Sequence, residues 1–348
     1  MGSIVRFAAV NAKVKALEGK FLSDEQYSEL MECKNYKDAI AYLKDKTSYH
    51  EVLSGYNADE IHRGKLEQIL KRSYMKSFDK LSHYFNGAYK SIFNVLFMKF
   101  EIEDLKAILR GKYIGKSNDD LKDFMTAQGR LNNFDYGSII KAKDVASAIE
   151  NLKGTLYYKH LAPLAAGVGK EGLFRIETSL DFIYFSFARK CLNKIDKEDR
   201  EIMHRIIGTE CDLLNIRWIY RGKFYYKLNP EELLNYTIYD SYKIKREELK
   251  KLCYAHDEDE FNDIIKKLPY KDVFDEDKNS EYLTERQTLV YLRNMFDSFK
   301  REGKMNISST VAYLELQHLE MRNIISIVEN IRYNVGAEEA SKYITAAV

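Results

Sequence analysis

One fourteen-residue stretch is written three times along this chain, and that copying limits the possible folds more than any other feature. FEIEDLKAILRGKY (Phe100–Tyr113) returns as CDLLNIRWIYRGKF (Cys211–Phe224) and again as LEMRNIISIVENIR (Leu319–Arg332). In register, Glu101 falls on Asp212 and Glu320, and Asp104 falls on Asn215 and Asn323. Leu105, Ile108 and Leu109 fall on Ile216, Ile219 and Tyr220, then on Ile324, Ile327 and Val328. The second and third acids lie 111 and 219 residues beyond the first, so the period is near a third of the 348-residue chain. Solenoid repeats run about 20–50 residues. Three copies of a longer, compact unit can instead close about a pseudo-threefold axis. Turn signals at Gly115–Asn118 and Lys227–Pro230 mark the copies as 1–115, 116–227 and 228–348.

The flanks of the stretch repeat as well. Thr155, Tyr157 and Leu161 each lie 108 residues after Thr47, Tyr49 and Leu53, and Leu180 and Tyr184 lie 110 after Leu70 and Tyr74. The third copy is looser, with EFNDIIKKLPYKDVF as its short hairpin and ERQTLVYLRNMFDSF as its long helix. Three prolines in the whole chain favour long helices, because an interior proline costs a helix about 3 kcal/mol. Ser23-Asp24 opens one helix, 59–81 reads as another, and the first copy of the stretch stops at Gly111 as a left-handed cap. LFRIETSLDFIYFSFARKCL is apolar nearly all round, Phe182 included, and reads as the deepest helix. The expected class is all-α.

A helical projection of the repeated stretch places Ile102, Leu105, Ile108 and Leu109 within about ±60° of one line. Glu101 falls on the edge of that stripe, as do Asp212 and Glu320. A lone buried carboxylate is expensive, so each of the three needs a hydrogen-bond partner. Arg110 and Arg221 project away from the core and are expected to be exposed, open either to solvent or to a partner.

Basic and acidic residues, 55 and 53, are interspersed and leave a net charge of +2. That balance lacks the concentrated positive face of a nucleic-acid binder. Four separated cysteines form no C-x-x-C pair and read as small packed hydrophobes in a reducing compartment. The N-terminus carries no signal-peptide pattern, and the apolar runs fall short of the ~20 residues of a membrane span. DDLKD (Asp119–Asp123) has the DDxxD form with which helical isoprenoid enzymes hold magnesium. A matching second acidic helix is missing, because Asn262-Asp263 is followed by Lys266 instead of serine. AAGVGKEG (Ala165–Gly172) lacks the phosphate-loop spacing and reads as a flexible connector. The acidic runs HDEDE (His256–Glu260) and DEDK (Asp275–Lys278) read as solvated loops. No catalytic residue, cofactor site or metal site is expected.

NAKVKALEGKFL (Asn11–Leu22), EIEDLKAILRGK (Glu101–Lys112) and especially EMRNIISIVENIRY (Glu320–Tyr333) resemble the C subunit of the prokaryotic V/A-type rotary ATPases, whose counterpart in eukaryotic vacuolar enzymes is the d subunit. The likeness spans the whole chain and includes its three-unit layout; the stretch 257–280 is its least typical part. The resemblance implies three homologous helical domains arranged as a funnel, with no catalysis of its own. It further implies a monomer, one copy per complex, peripheral at the cytoplasmic face of the membrane. There it would join the D and F subunits of the central stalk to the membrane rotor ring of proteolipid subunits during proton or sodium transport. Nucleic acid and direct bilayer insertion play no part in that picture. By position, Arg110, Arg221, Arg322, Glu329 and Arg332 are the candidate partner contacts, and Glu101, Asp212, Glu320 and Asn323 the structural motif. Two other readings stay open: a helical adaptor of some other assembly, and a magnesium-dependent helical enzyme using Asp119–Asp123.

Overall fold

The structure is a computed structural model that describes residues 3–57, 60–122, 125, 134–274 and 281–346; among these, every regular element is helical. A first helix, α1 (Ser3–Glu18), is followed by the short helices α2 (Asp24–Met31), α3 (Tyr36–Lys46) and α4 (His50–Leu53). Two long helices come next, α5 (Arg63–Ser82) and α6 (Gly87–Tyr113), the second carrying the first copy of the repeated stretch. The pattern returns as α7 (Asn118–Lys122), α8 (Tyr136–Lys141), α9 (Val145–Glu150), α10 (Leu156–Leu161), α11 (Val168–Glu171), α12 (Phe174–Leu192) and α13 (Lys197–Tyr220). It returns again as α14 (Pro230–Tyr236), α15 (Arg246–Tyr254), α16 (Glu258–Ile265), α17 (Glu281–Glu302), α18 (Ser308–Arg332) and α19 (Ala337–Ser341).

Local chemistry explains where these helices start. Asn35, Asp144 and Asp257 occupy the same place in the three hairpins, and each accepts from the backbone N–H three residues on, at 3.0, 2.8 and 2.9 Å. Ser23 does so within a capping box that uses Gln26. Such caps are each worth about 1 kcal/mol. No proline interrupts an α-helix: Pro163 starts a 3-10 turn, Pro230 opens α14, and Pro269 lies in a turn.

The ends are also shared. Gly115, Lys227 and Asn334 all take positive φ just beyond the three closing helices. The N–H of the next residue then reaches back to the carbonyl of Gly111, Gly222 or Asn330 at 2.8, 2.9 and 2.9 Å, the Schellman closure. The second copy needs one residue more because Arg221–Tyr225 is a single π turn. Gly111 is therefore not the cap that the sequence predicts. It lies inside α6, where an added Cβ would stand 2.2 Å from Cδ2 of Leu121, and Gly222 receives Leu233 in the same way at 2.3 Å. These glycines are notches for a neighbouring leucine, and Gly115 supplies the turn.

The chain divides into two compact units, one made of Met1–Phe85 with Asp272–Val348, the other of Asn86–Lys271. In the second, α6 and α12 run antiparallel and are tied one turn apart by Lys106–Asp181 at 2.5 Å and by Arg110–Glu177. By contrast α6 and α13 are parallel. Tyr89 donates to Asp199, and Lys99 donates to Glu210 at 2.7 Å, partners that are one sequence period apart. In the first unit α18 is the most enclosed element, with nine successive buried residues from Ser308 to Leu316, and it packs on α1, α5 and α17. The sequence reading gave that place to α12. Phe182 of α12 is instead half exposed, because one side of α12 covers its neighbours and leaves the other outside.

Two loop readings are corrected as well. Ala162–Gly167 and Val168–Glu171 form consecutive helical turns, closed by Gly172 at φ +67°. The HDEDE run starts α16: Asp257 caps it and Glu258, Asp259 and Glu260 fill its first turn, where acids suit the positive helix end. Residues 275–278, the DEDK run, lie outside the described residues.

Candidate functional site

The acid at the start of each repeated stretch is buried, and each is met by a tyrosine hydroxyl from a short hairpin. Tyr157 donates to Glu101 at 3.0 Å, Tyr270 to Asp212 at 2.7 Å and Tyr49 to Glu320 at 2.9 Å. A backbone N–H adds a second bond in two copies, from Lys243 to Asp212 at 2.7 Å and from Leu22 to Glu320 at 2.8 Å. Tyr157 lies 56 residues after Glu101, and Tyr270 lies 58 after Asp212, each in the hairpin that comes later in the chain. For α18 that place is taken by the N-terminal hairpin α2–α4, 271 residues earlier. Each closing helix thus clasps one hairpin, and the last clasps the first.

One turn on, a second polar side chain fixes the same hairpin or the segment beside it. Asn215 donates to the carbonyl of Ile238 at 2.8 Å and accepts its N–H at 2.9 Å. Asn323 accepts the N–H and hydroxyl of Thr345 at 3.0 and 3.1 Å. Asp104 accepts a longer bond of 3.4 Å from Tyr136. These groups occupy the stripe side of their helices, where an unmet polar atom costs about 1–3 kcal/mol.

Burial dominates the electrostatics. It pushes the Glu320 carboxyl up to about 7, against the Leu22 N–H, the Tyr49 hydroxyl and the charges of Arg293 and Lys300. Burial raises Asp212 as well, opposed by the Lys243 N–H and the Tyr270 hydroxyl. Tyr49 is in turn driven well above its ordinary value, chiefly by burial and then by Glu320. Both Glu320 oxygens are engaged by fixed donors, so the arrangement is a clasp.

The predicted contact residues are spread along the outer sides of the closing helices. Arg110 is exposed but forms a two-pronged pair with Glu177 at 2.5 and 2.8 Å. Arg322 is exposed and bonds Glu285 at 2.9 Å. Arg332 is exposed and lies over the Tyr333 ring, 5.7 Å from its centroid. Glu329 is half-buried, and so is Arg221, which the helical projection places outside, although its N–H still bonds the Arg217 carbonyl in α-helical register. Of the DDLKD string, Asp119 pairs with Lys122 at 2.8 Å, while the Asp120 side chain and Asp123 lie outside the described residues. Among the described residues, no three His, Cys, Asp or Glu side chains cluster as metal ligands. Cys191, Cys211 and Cys253 are buried free thiols, and burial raises all three, Cys253 to about 12. Cys211 also joins the Asn215 contact, its thiol donating to the Ile238 carbonyl at 3.6 Å.

The tyrosines are what the sequence reading missed. The Tyr49–Tyr157 match was visible at a separation of 108, and Tyr270 sits in the third hairpin at 113 more. Their pairing with the acids needs the folded topology.

The model of a known family, the ATP synthase (C/AC39) subunit, matches residues 10–343. Among curated proteins, the chain is similar to the C subunit of the A-type ATP synthase of Methanosphaera stadtmanae, at 24% identity over 92% of this chain and 83% of that one. It is similar to the protein of the same name from Methanococcoides burtonii, at 25% over 97% and 93%. A third, from Methanocaldococcus jannaschii, is 22% identical over 96% and 84%.

Proposed function

The chain belongs to the ATP synthase (C/AC39) subunit family, and we propose that it is a non-catalytic rotor part joining a central stalk to a membrane rotor ring. In this reading its three copies (1–115, 116–227 and 228–348) form a pseudo-threefold funnel at the cytoplasmic face of the membrane, one per complex. The funnel receives the D and F subunits of the stalk and turns with the proteolipid ring. The family match over residues 10–343 carries the proposal.

The physical design suits the task. Each ion that crosses 100 mV carries about 2.3 kcal/mol, and a coupling that yields wastes it. Here the closing helices are braced by buried clasps and by charge pairs such as Lys106–Asp181. Among the described residues, no helix is long and apolar enough to cross a membrane, so attachment to the ring would run through protein contacts. Arg110, Arg221, Arg322, Glu329 and Arg332 are proposed to contribute to those contacts. A mass-resolved pull-down of the tagged chain from solubilised membranes tests the reading. Recovery with the two stalk proteins and the ring protein is expected; recovery with an unrelated assembly overturns it.

A further inference from the structure

Helix α5 carries six basic residues against two acids, and three of the bases form a row on its outer side. Arg72, Lys76 and Lys80 are all exposed. At four-residue spacing they stand one above another, about 6 Å apart along the axis. The positions between them include Tyr74, Met75 and Phe78, which turn into the core. The acids of α5 do not answer the row. Glu67 is held by Lys71 at 2.7 Å, and Asp79 is half-buried and already engaged. Among the described residues, Arg72, Lys76 and Lys80 form no ion pair with a carboxylate.

Helix α1 adds a fourth cation. Lys13 brings its amine against that of Lys80. The charge and direct contact of Lys80, then burial and Lys20, hold the Lys13 amine below its ordinary range. Among the described residues, Glu51 of α4 is the carboxylate that this group meets, and Lys20 already takes both its oxygens at 2.7 Å. Two cations set side by side from separate helices leave positive charge that the chain itself does not neutralise, and such a place favours an anion.

The surroundings tell what kind. No exposed large apolar side chain lies between residues 72 and 80, so the row lacks the apolar face with which a helix enters a bilayer surface. From Arg72 to Lys80 it runs about 12 Å, longer than one phosphate can span and suited to several carboxylates. We propose that Lys13, Arg72, Lys76 and Lys80 form a docking strip for an acidic segment of another protein of the same assembly. Charge complementarity of this kind chooses the partner and steers its approach. The inference rests on the reading of the chain as one part of a larger complex, and adds to it a surface and the sign of the partner's charge.

The purified whole complex and the free chain provide the test. Acetylation by an N-hydroxysuccinimide ester, read by mass spectrometry, compares Lys76 and Lys80 in the two states. Roughly tenfold slower modification in the complex is expected. Carbodiimide, which joins lysine amines directly to carboxylates, should link Lys13, Lys76 or Lys80 to aspartate or glutamate of another protein in the complex. Equal acetylation in both states overturns the proposal, and so do links confined to this chain's own carboxylates. Protection of the free chain by vesicles of phosphatidylcholine and phosphatidylglycerol alone also overturns it, by making the strip a lipid contact. A Lys76→Glu, Lys80→Gln chain should melt as the parent does, because no acid loses a partner, yet rejoin the complex roughly tenfold more weakly at low salt. A lower melting temperature with unchanged binding would assign the row to the fold and sink the idea. If stalk and ring proteins are recovered while Lys76 and Lys80 stay equally reactive, the strip fails and the rotor reading stands. If neither is recovered but the links to an acidic protein persist, the rotor reading fails and the strip stands.

Discussion

Protonation of Glu320 should make the grip of α18 on the N-terminal hairpin depend on pH. Burial lifts this carboxyl from its ordinary 4.5 to about 7. Each tenfold change in proton affinity is worth about 1.4 kcal/mol, so the lift corresponds to about 3 kcal/mol. Between pH 4.5 and 7 the folded chain keeps a proton that the unfolded chain has released. The stabilisation is therefore complete below pH 4.5, falls by about 1.4 kcal/mol per pH unit across the window, and is gone above 7. Glu320→Gln carries no such proton, and the difference between parent and variant isolates the effect. Asp212, Asp181 and Asp240 are raised too, but they are common to both chains and cancel. The single tryptophan, Trp218, belongs to α13 in the other unit, so its fluorescence is the wrong probe. Hydrogen exchange of α18 peptides reads local opening free energy directly. The parent should lose about 3 kcal/mol of α18 protection relative to Glu320→Gln between pH 4.5 and 7.5. A difference that stays flat, or one that grows in the parent's favour with pH, would show that the carboxyl is not held as described. Tyr49→Phe removes a donor to the ionised form and should cost about 1–3 kcal/mol at pH 8.

The leucine notches make Gly222→Ala destabilising by about 1–2 kcal/mol: forcing Leu233 aside costs about 1–3 kcal/mol, and the better helix propensity of alanine returns at most about 1. Urea titration should show the loss, and Leu233→Ala in the same chain should relieve part of it; a net gain from Gly222→Ala would refute the notch. The parallel pairing of α6 with α13 is checked by Lys99→Glu and Glu210→Lys, each destabilising alone, with the double reversal recovering most of the loss in a double-mutant cycle. Arg322→Glu should cost less than about 1 kcal/mol in the free chain, because its pair with Glu285 is exposed, yet weaken assembly. Equal loss of helical signal in the isolated variant would defeat the interface role.

Periodicity carried the helices well, because an apolar stripe is a local property of the chain. Glu101, Asp212 and Glu320 could be placed on that stripe from spacing alone, and their need for partners followed from the cost of burying charge. What could not be read is which hairpin answers which acid. Leu22 and Glu320 are 298 residues apart, and no local signal encodes that meeting. The misplaced cap at Gly111 has a similar origin. A glycine near a helix end is ambiguous between a turn and a close approach, and only Leu121 on its far side decides. The acidic run at His256–Glu260 was mistaken for a loop because charge was weighed without its position: the same acids favour a helix when they stand at its start. Arg221 keeps the α-helical register of α13 and is half-buried all the same, because a projection of one helix does not show what packs beside its end.

The clasp between Tyr49 and Glu320 also sets a delay during synthesis. Translation at about 5–20 residues per second separates the two residues, 271 apart, by roughly fifteen seconds to a minute. Throughout that interval the newborn hairpin of α2 to α4 has no α18 to cover Tyr27, Leu30 and Ile40, side chains that end fully enclosed. The segment made first is among the last to be finished, and a cell that builds this chain has to shelter an unfinished front end until the back end emerges.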